Sequence, residues 1–158
     1  MPTTGEPGFR LRVAQDEDFR FTVDFGQQGI EPLVTDEPPP LGGGEGPNPV
    51  RLLGAAVGTC LASSLLYCLR RTKVEPSDLS VVVEGDVGRN AAGRLRVEEL
   101  RVRLEGDLPP DSEGGLDRCI EVFENYCTVT GSVREGIDVL VNVEVGSRQE
   151  GEAVATGA

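Results

Sequence analysis

The feature that most constrains this chain is an uncharged run of 18 residues, from position 52 to position 69 of 158. Asn48 and Pro49 before the run, and Arg70 and Arg71 after it, are residue types that favour the start and the end of a helix. The run therefore predicts one long central helix. Because it is apolar on nearly every face, we expect this helix to be buried on all sides.

The same run is at the length threshold for a membrane span, and Gly54 and Gly58 match the small-residue contact motif of membrane helices. Against a span, eight of the 18 positions are Gly, Ala, Ser or Thr, so the run is only mildly hydrophobic. The flanking strands also need a helix to cover them. We therefore expect a core helix and no membrane interaction, with the two glycines letting another helix approach closely.

Strands are predicted before the central helix. Residues 8–14 and 19–25 alternate apolar and polar side chains, which predicts a hairpin, and residues 32–35 predict a short third strand. Residues 36–49 hold five prolines and four glycines. Such a segment forms neither helix nor central strand, and a long loop inside a compact domain is usually functional or mobile.

After the central helix, residues 79–88 and 94–106 predict a second hairpin. The apolar alternation of its second strand changes phase at Glu98–Glu99, which predicts a bulge there. Residues 115–127 show helical spacing of apolar residues, which predicts an amphipathic helix, and a short helical turn is expected after it. Residues 137–145 predict a final strand.

This order of elements predicts an α+β fold in which antiparallel sheets cover buried helices. The length suits one domain, which we place at residues 1–146. Residues 147–158 are expected to form a disordered tail.

The composition excludes several classes of function. With 15 basic and 27 acidic residues the net charge is −12, so the surface repels phosphate backbones and no nucleic-acid partner is expected. The chain has no histidine, which removes Ser-His and Cys-His catalysis and the commonest metal ligand. The N-terminus lacks a basic start followed by an apolar run, so no secretory signal is expected and the cytoplasm is the predicted location.

Four cysteines at positions 60, 68, 119 and 127 are expected to be thiols rather than a disulfide scaffold. Eight residues separate the two in each helical segment, a rise of roughly 12 Å, which is too far for a disulfide within one helix. Any redox pair must therefore join Cys60 or Cys68 to Cys119 or Cys127. No C-x2-C pair exists, so neither zinc nor another metal or cofactor is expected.

The neighbours of each cysteine suggest different roles. Cys68 and Cys119 are expected to be small inert core residues. Cys60 follows a run of small side chains that leaves space beside its sulfur. Cys127 lies where a helix gives way to a polar segment, near the N-terminus of the next short helix, where backbone N–H groups would favour a thiolate.

The segments PNPVRLLGAAVGTCLASSL and ENYCTVTGSVREGIDVLVNV, in this order, resemble the OsmC/Ohr family of thiol-dependent hydroperoxide reductases. The resemblance extends over about residues 8–146. It implies an intertwined homodimer whose sheets wrap around two central helices, with each active site at the subunit interface. It also implies that Cys60 attacks an organic hydroperoxide, that Cys127 resolves the product as a disulfide, and that an external dithiol reduces this disulfide.

The sequence departs from the family pattern beside the first cysteine. The family supports this thiol with an arginine from the N-terminal hairpin and, in its hydroperoxide-resistance branch, with a glutamate just after the Asn-Pro pair. Here Val50 occupies the glutamate position. We expect Arg20 to be the arginine and Glu45 to replace the glutamate. The alternative is an inactive or weakly active dimer that binds an apolar small molecule at the subunit interface.

Overall fold

The computed structural model describes residues 8–110 and 112–144. Their elements follow the order β1 (Arg12–Glu17), β2 (Arg20–Asp24), β3 (Leu33–Asp36), α1 (Pro49–Arg71), β4 (Ser77–Arg89), β5 (Leu95–Asp107), α2 (Glu113–Ile120), a 3₁₀ helix (Phe123–Tyr126) and α3 (Thr128–Glu135). The α+β class predicted from the sequence is confirmed.

The first sheet is antiparallel, in the order β1–β2–β3. Within the described ranges, the extensive contacts of its strands are confined to one another, so the sheet projects away from α1. The buried carboxylate of Asp36 organises the loop that leads from this sheet to α1. The backbone N–H groups of Gly43 and Glu45 donate to Asp36 Oδ2 at 2.9 and 3.1 Å, which fixes the loop between β3 and α1.

The second sheet is the long antiparallel hairpin β4–β5, and it carries the predicted bulge. Asp86 pairs with Glu99 while Val87 pairs with Val97, so Glu98 is the extra residue. Helix α1 lies against this hairpin and against the C-terminal helices. The core contains Val57, Leu61, Leu65, Leu69, Val74, Cys119, Phe123 and Cys127.

Helix α1 begins as the sequence predicts, because Asn48 Oδ1 accepts the N–H of Arg51 at 3.1 Å and Pro49 occupies the first turn. The expectation of burial on every face is wrong for the single chain. One stripe is buried, whereas the opposite face, which includes Thr59 and Tyr67, is exposed. By length and composition α1 could cross a membrane, a property that core helices of soluble proteins share.

The two glycines of α1 pack against the β4–β5 hairpin, whereas the sequence predicted that they would pack against another helix. A Cβ atom on Gly54 would lie 3.5 Å from Val83 Cγ1, and one on Gly58 would lie 2.8 Å from Val83 Cγ2. Val83 belongs to β4. The small residues therefore let the hairpin approach the helix axis closely.

Two predictions for the C-terminal part are wrong. The helix predicted over 115–127 is interrupted at Glu121 and Val122, and the chain continues as a 3₁₀ helix that buries Phe123. Residues 137–144 form no strand, since no neighbouring strand pairs with them within the described residues; position 145 lies outside that range. Apolar side chains here, such as Leu140 at 93% exposure, face solvent.

Candidate active site

The first cysteine of the site lies in the middle of α1. Cys60 is half-buried and packs against the hydrophobic core. It precedes Ser64 by four residues, which places both side chains on one face of the helix. The position of the Cys60 sulfur is therefore fixed by the rigid backbone of α1 and by the buried side chains next to it, such as Val57 and Leu61.

The second cysteine is the N-cap of α3. Cys127 has an extended backbone conformation, and the N–H of Thr130 donates to its sulfur at 3.4 Å. The thiol donates to the Thr130 hydroxyl oxygen at 3.0 Å, and when Cys127 is a thiolate the same hydroxyl can turn and donate to the sulfur. Cys127 is only 2% exposed. A side-chain acceptor at the cap satisfies N–H groups that the helix itself leaves free, so the Cys127 sulfur stabilises the start of α3.

The structure places Cys60 and Cys127 next to each other, close enough that each thiol shifts the pKa of the other. Backbone N–H groups of Val129 and Thr128 approach the Cys60 sulfur, and that of Thr130 approaches Cys127. Both sulfurs thus lie at the N-terminus of α3. Free N–H groups and the helix dipole make such a position favourable for a thiolate.

The two thiols have different acidities. Burial raises the pKa of Cys60, as does its hydrogen bond with Cys127, and the N–H groups of α3 oppose this only in part. Burial also acts to raise the pKa of Cys127, but hydrogen bonds from Cys60, Thr130 and Ser64 outweigh it, so this pKa is lowered. In the single chain the negative charge is therefore favoured on Cys127.

Arg20 and Glu45 lie together, as ion-pair partners, but on the projecting sheet and its loop. Arg20 Nη1 donates to Glu45 Oε2 at 2.7 Å, and it also contacts Glu17 at 3.0 Å. The hydrogen bond to Glu45 is the main reason why the pKa of Arg20 is raised. Among the residues described, no arginine or lysine contributes to the environment of Cys60. Within one chain this pair is separate from the thiols.

The other two cysteines do not match the sequence prediction of inert thiols. Cys68 of α1 and Cys119 of α2 form a disulfide, with their Cα atoms 5.6 Å apart. The bond joins two helices, as the geometric argument from spacing required. Cys60 and Cys127 are the free cysteines.

Sequence reasoning missed Thr130 and Ser64. Each has a recognisable signal once the helices are known. Thr130 lies three residues after Cys127, the spacing of a capping residue and the N–H it accepts. Ser64 lies one helical turn beyond Cys60. Both hydroxyls hydrogen-bond with Cys127 and lower its pKa.

A cavity of about 430 Å³ lies beside the thiols, between α1, β5 and the C-terminal helices. Its lining combines apolar residues such as Val57, Leu61 and Phe123 with Thr130 and with charged residues at the rim of the cavity: Glu98, Glu99, Glu124 and Arg134. Neither free cysteine lines it. Among the described residues, no cluster of Cys, Asp or Glu could hold a metal ion.

The fold and the thiol pair define an α+β protein in which a cysteine on a central helix faces a cysteine at a helix cap. A family model described as OsmC-like protein matches residues 42–142, so the chain belongs to the OsmC-like family. A search of curated proteins found no match.

Solved structures share the fold at low sequence identity. An OsmC-like protein of unknown function from Vibrio cholerae is 15% identical, with a TM-score of 0.69 over 80% of this chain and 94% of that one. An OsmC-like protein from Mycoplasma pneumoniae is 17% identical, with a TM-score of 0.68 over 82% and 89%. An organic hydroperoxide resistance protein from Elizabethkingia anophelis is 18% identical, with a TM-score of 0.58 over 84% and 91%.

Proposed function

We propose that this protein is a cytoplasmic, homodimeric thiol peroxidase that reduces organic hydroperoxides to alcohols through Cys60 and Cys127. The observation that carries the proposal is the placement of these two thiols, 67 positions apart in sequence, side by side at the N-terminus of α3. A structural neighbour named as an organic hydroperoxide resistance protein supports the substrate class.

The chemistry requires no metal or histidine. Cys60 passes its proton to the neighbouring Cys127 thiolate and attacks the O–O bond of the hydroperoxide. A sulfur–oxygen bond forms as the O–O bond breaks, and the alcohol leaves after taking up a proton. Cys60 is then a sulfenic acid. Attack by Cys127 on that sulfur forms a disulfide and releases water, and an external dithiol restores both thiols while it becomes a disulfide.

The raised pKa of Cys60 makes its reactive anion scarce in one chain. We propose that a second copy corrects this by bringing its own Arg20–Glu45 pair to Cys60. Three features support a dimer of this kind: the β1–β3 sheet packs on no helix extensively within the described residues, one face of α1 is exposed, and so are the apolar residues of 137–144. Each of these surfaces would be covered by a partner.

A thiol titration tests the proposal. Protein prepared with the Cys68–Cys119 bond intact should show two free thiols per chain and none after one equivalent of tert-butyl hydroperoxide. Peptide mapping should then find Cys60 linked to Cys127. Cys60→Ser should abolish hydroperoxide consumption, and Cys127→Ser should leave a sulfenic acid that a dimedone probe traps at Cys60. Unchanged consumption by Cys60→Ser would disprove the assignment.

The alternative function is binding of an apolar small molecule without catalysis. The apolar part of the cavity, formed by residues such as Val57, Leu61 and Phe123, and the raised pKa of Cys60 favour it, as does Val50 at the family's glutamate position. Under this alternative, Cys60 would survive hydroperoxide unmodified in the folded protein. Apolar ligands would raise the melting temperature equally in wild type and Cys60→Ser.

A further inference from the structure

The Cys68–Cys119 disulfide has a definite geometric relation to the free thiols. Eight residues separate Cys60 from Cys68 on α1, and eight separate Cys119 from Cys127 on the opposing segment. Cys60 lies beside Cys127 and Cys68 is bonded to Cys119, so the opposing segment runs antiparallel to α1. Both pairs therefore connect the same two parts of the chain. They form two parallel cross-connections, roughly 12 Å apart along the helix.

The segment between these cross-connections packs on α1 through the buried Phe123 and is otherwise largely exposed, with an ion pair from Arg134 to Glu124 at its surface. The helix is interrupted at Glu121 and Val122, and these residues are exposed, as are Glu124, Asn125 and Tyr126. Between Cys119 and Cys127 only Phe123 is buried. Cys119 itself is completely buried. The disulfide therefore adds a covalent constraint to a short, largely exposed segment that ends at Cys127.

We propose that the Cys68–Cys119 disulfide is a reversible positioning element that holds Cys127 opposite Cys60. The consequence for catalysis rests on the function proposed above, whereas the disulfide and its effect on the segment do not. When the bond is present, Cys127 stays within reach of the oxidised Cys60. When it is reduced, residues 120–127 open more often, the resolving step slows, and the Cys60 sulfenic acid is exposed to further oxidation.

The redox step is an ordinary thiol–disulfide exchange. A dithiol attacks the half-buried Cys68 sulfur, the Cys68–Cys119 bond breaks, and Cys119 leaves as a thiol. The second thiol of the reductant then closes its own disulfide and frees Cys68, so two electrons and two protons pass from reductant to protein. Disulfides that persist are rare in a reducing cytoplasm. A reversible bond that reports the redox state of that compartment fits the location proposed above.

The first test uses no hydroperoxide. Full-length protein purified without reductant is denatured in acid, alkylated and mapped. We expect alkylated Cys60 and Cys127 and a linked Cys68–Cys119 peptide. Finding all four cysteines alkylated, or Cys68 and Cys119 in other pairings, would refute the proposal.

The second test measures hydrogen exchange of the amides in 120–127. Exchange in the wild-type protein is compared before and after reduction by dithiothreitol. This comparison does not depend on whether a cysteine variant folds. Reduction should speed exchange there by about tenfold while β4–β5 is unchanged. Cys68→Ser should reproduce the effect. Equal exchange in oxidised and reduced protein would overturn the positioning role even if the bond exists.

The third test separates positioning from general stability. After one equivalent of tert-butyl hydroperoxide, acid quenching and mapping follow the sulfenic acid and the Cys60–Cys127 disulfide over time. Cys68→Ser should form the Cys60–Cys127 disulfide about tenfold more slowly than wild type, while the rate of hydroperoxide consumption falls by a clearly smaller factor. An equal loss in both steps would contradict a role in resolution. If wild type consumes no hydroperoxide while the first two tests succeed, the proposed peroxidase function fails and the disulfide assignment stands.

Discussion

The N–H of Thr130 points at the sulfur of Cys127, 3.4 Å away, while the Thr130 hydroxyl oxygen lies 3.0 Å from the same sulfur. One residue thus supplies two polar groups to a thiol that is almost fully buried. These contacts, with those from Cys60 and Ser64, lower the pKa of Cys127 against the effect of burial. The cap of α3 is therefore also the electrostatic support of the second thiol.

Replacing Thr130 by valine should remove the hydroxyl contact and keep the backbone one. Loss of one hydrogen bond to a buried anion costs about 1.5 kcal/mol or more, so the thiolate of Cys127 becomes scarcer and its pKa rises. In a Cys60→Ser background, the rate of Cys127 alkylation at neutral pH should fall by about tenfold or more. Thr128→Val, at the exposed first position of α3, is the matched control. It should leave the rate unchanged, and an equal fall in both variants would argue against the hydroxyl contact.

The two glycines of α1 offer a matched pair for stability. Gly58→Ala places a Cβ atom 2.8 Å from Val83 Cγ2, so the Val83 side chain or the hairpin that carries it must shift. Overpacking of this kind should lower the free energy of unfolding by about 1–3 kcal/mol. Gly54→Ala meets Val83 only at 3.5 Å and gains helix propensity, so it should be neutral or stabilising by up to about 1 kcal/mol. Urea denaturation measures the free energy of unfolding of both variants. Similar free energies for the two would show that α1 does not approach β4 this closely.

Asp36 should be needed for the loop that carries Glu45. Its Oδ2 accepts two backbone N–H groups, while Oδ1 is buried and has no hydrogen-bond partner. Asp36→Asn replaces a charged acceptor by a weaker one and buries an unpaired amide. The free energy of unfolding should therefore fall by about 1–3 kcal/mol. Limited proteolysis within 37–47 should accelerate. Asp24→Asn, which alters an exposed contact to Gly26, is the control and should do neither.

The sequence predicts the fold well where local patterns decide it. Asn48 and Pro49 mark the start of α1, and the phase change at Glu98–Glu99 marks the bulge of β5. It fails where the outcome depends on contacts that the segment itself does not encode. Residues 137–144 alternate like a strand, but a strand exists only beside another strand with a free edge, and no pattern in the segment says where that edge lies.

The cysteines show the same limit. Their spacing requires that any pair join two helices, and the resemblance indicates Cys60 with Cys127. Once these two face each other on antiparallel segments, the equal spacing of eight residues also brings Cys68 to Cys119. Each of the latter, judged by its own neighbours, looks like an inert core residue. Only the relative direction and register of the two segments, which are tertiary properties, distinguish a bonded pair from two isolated thiols.

The shared site proposed for the homodimer gives a complementation test. Arg20→Ala should reduce hydroperoxide consumption and move its pH profile to higher pH, because loss of a nearby cation raises the pKa of Cys60. Arg12→Ala, on the exposed strand β1, is the control and should change neither.

If Arg20 of one copy serves Cys60 of the other, a heterodimer of Cys60→Ser and Arg20→Ala chains retains one intact site. Co-expression of equal amounts should then restore about a quarter of wild-type activity, since about half of the dimers are mixed. Activity no higher than the average of the two separate variants would show that Arg20 does not act on Cys60 of the other copy.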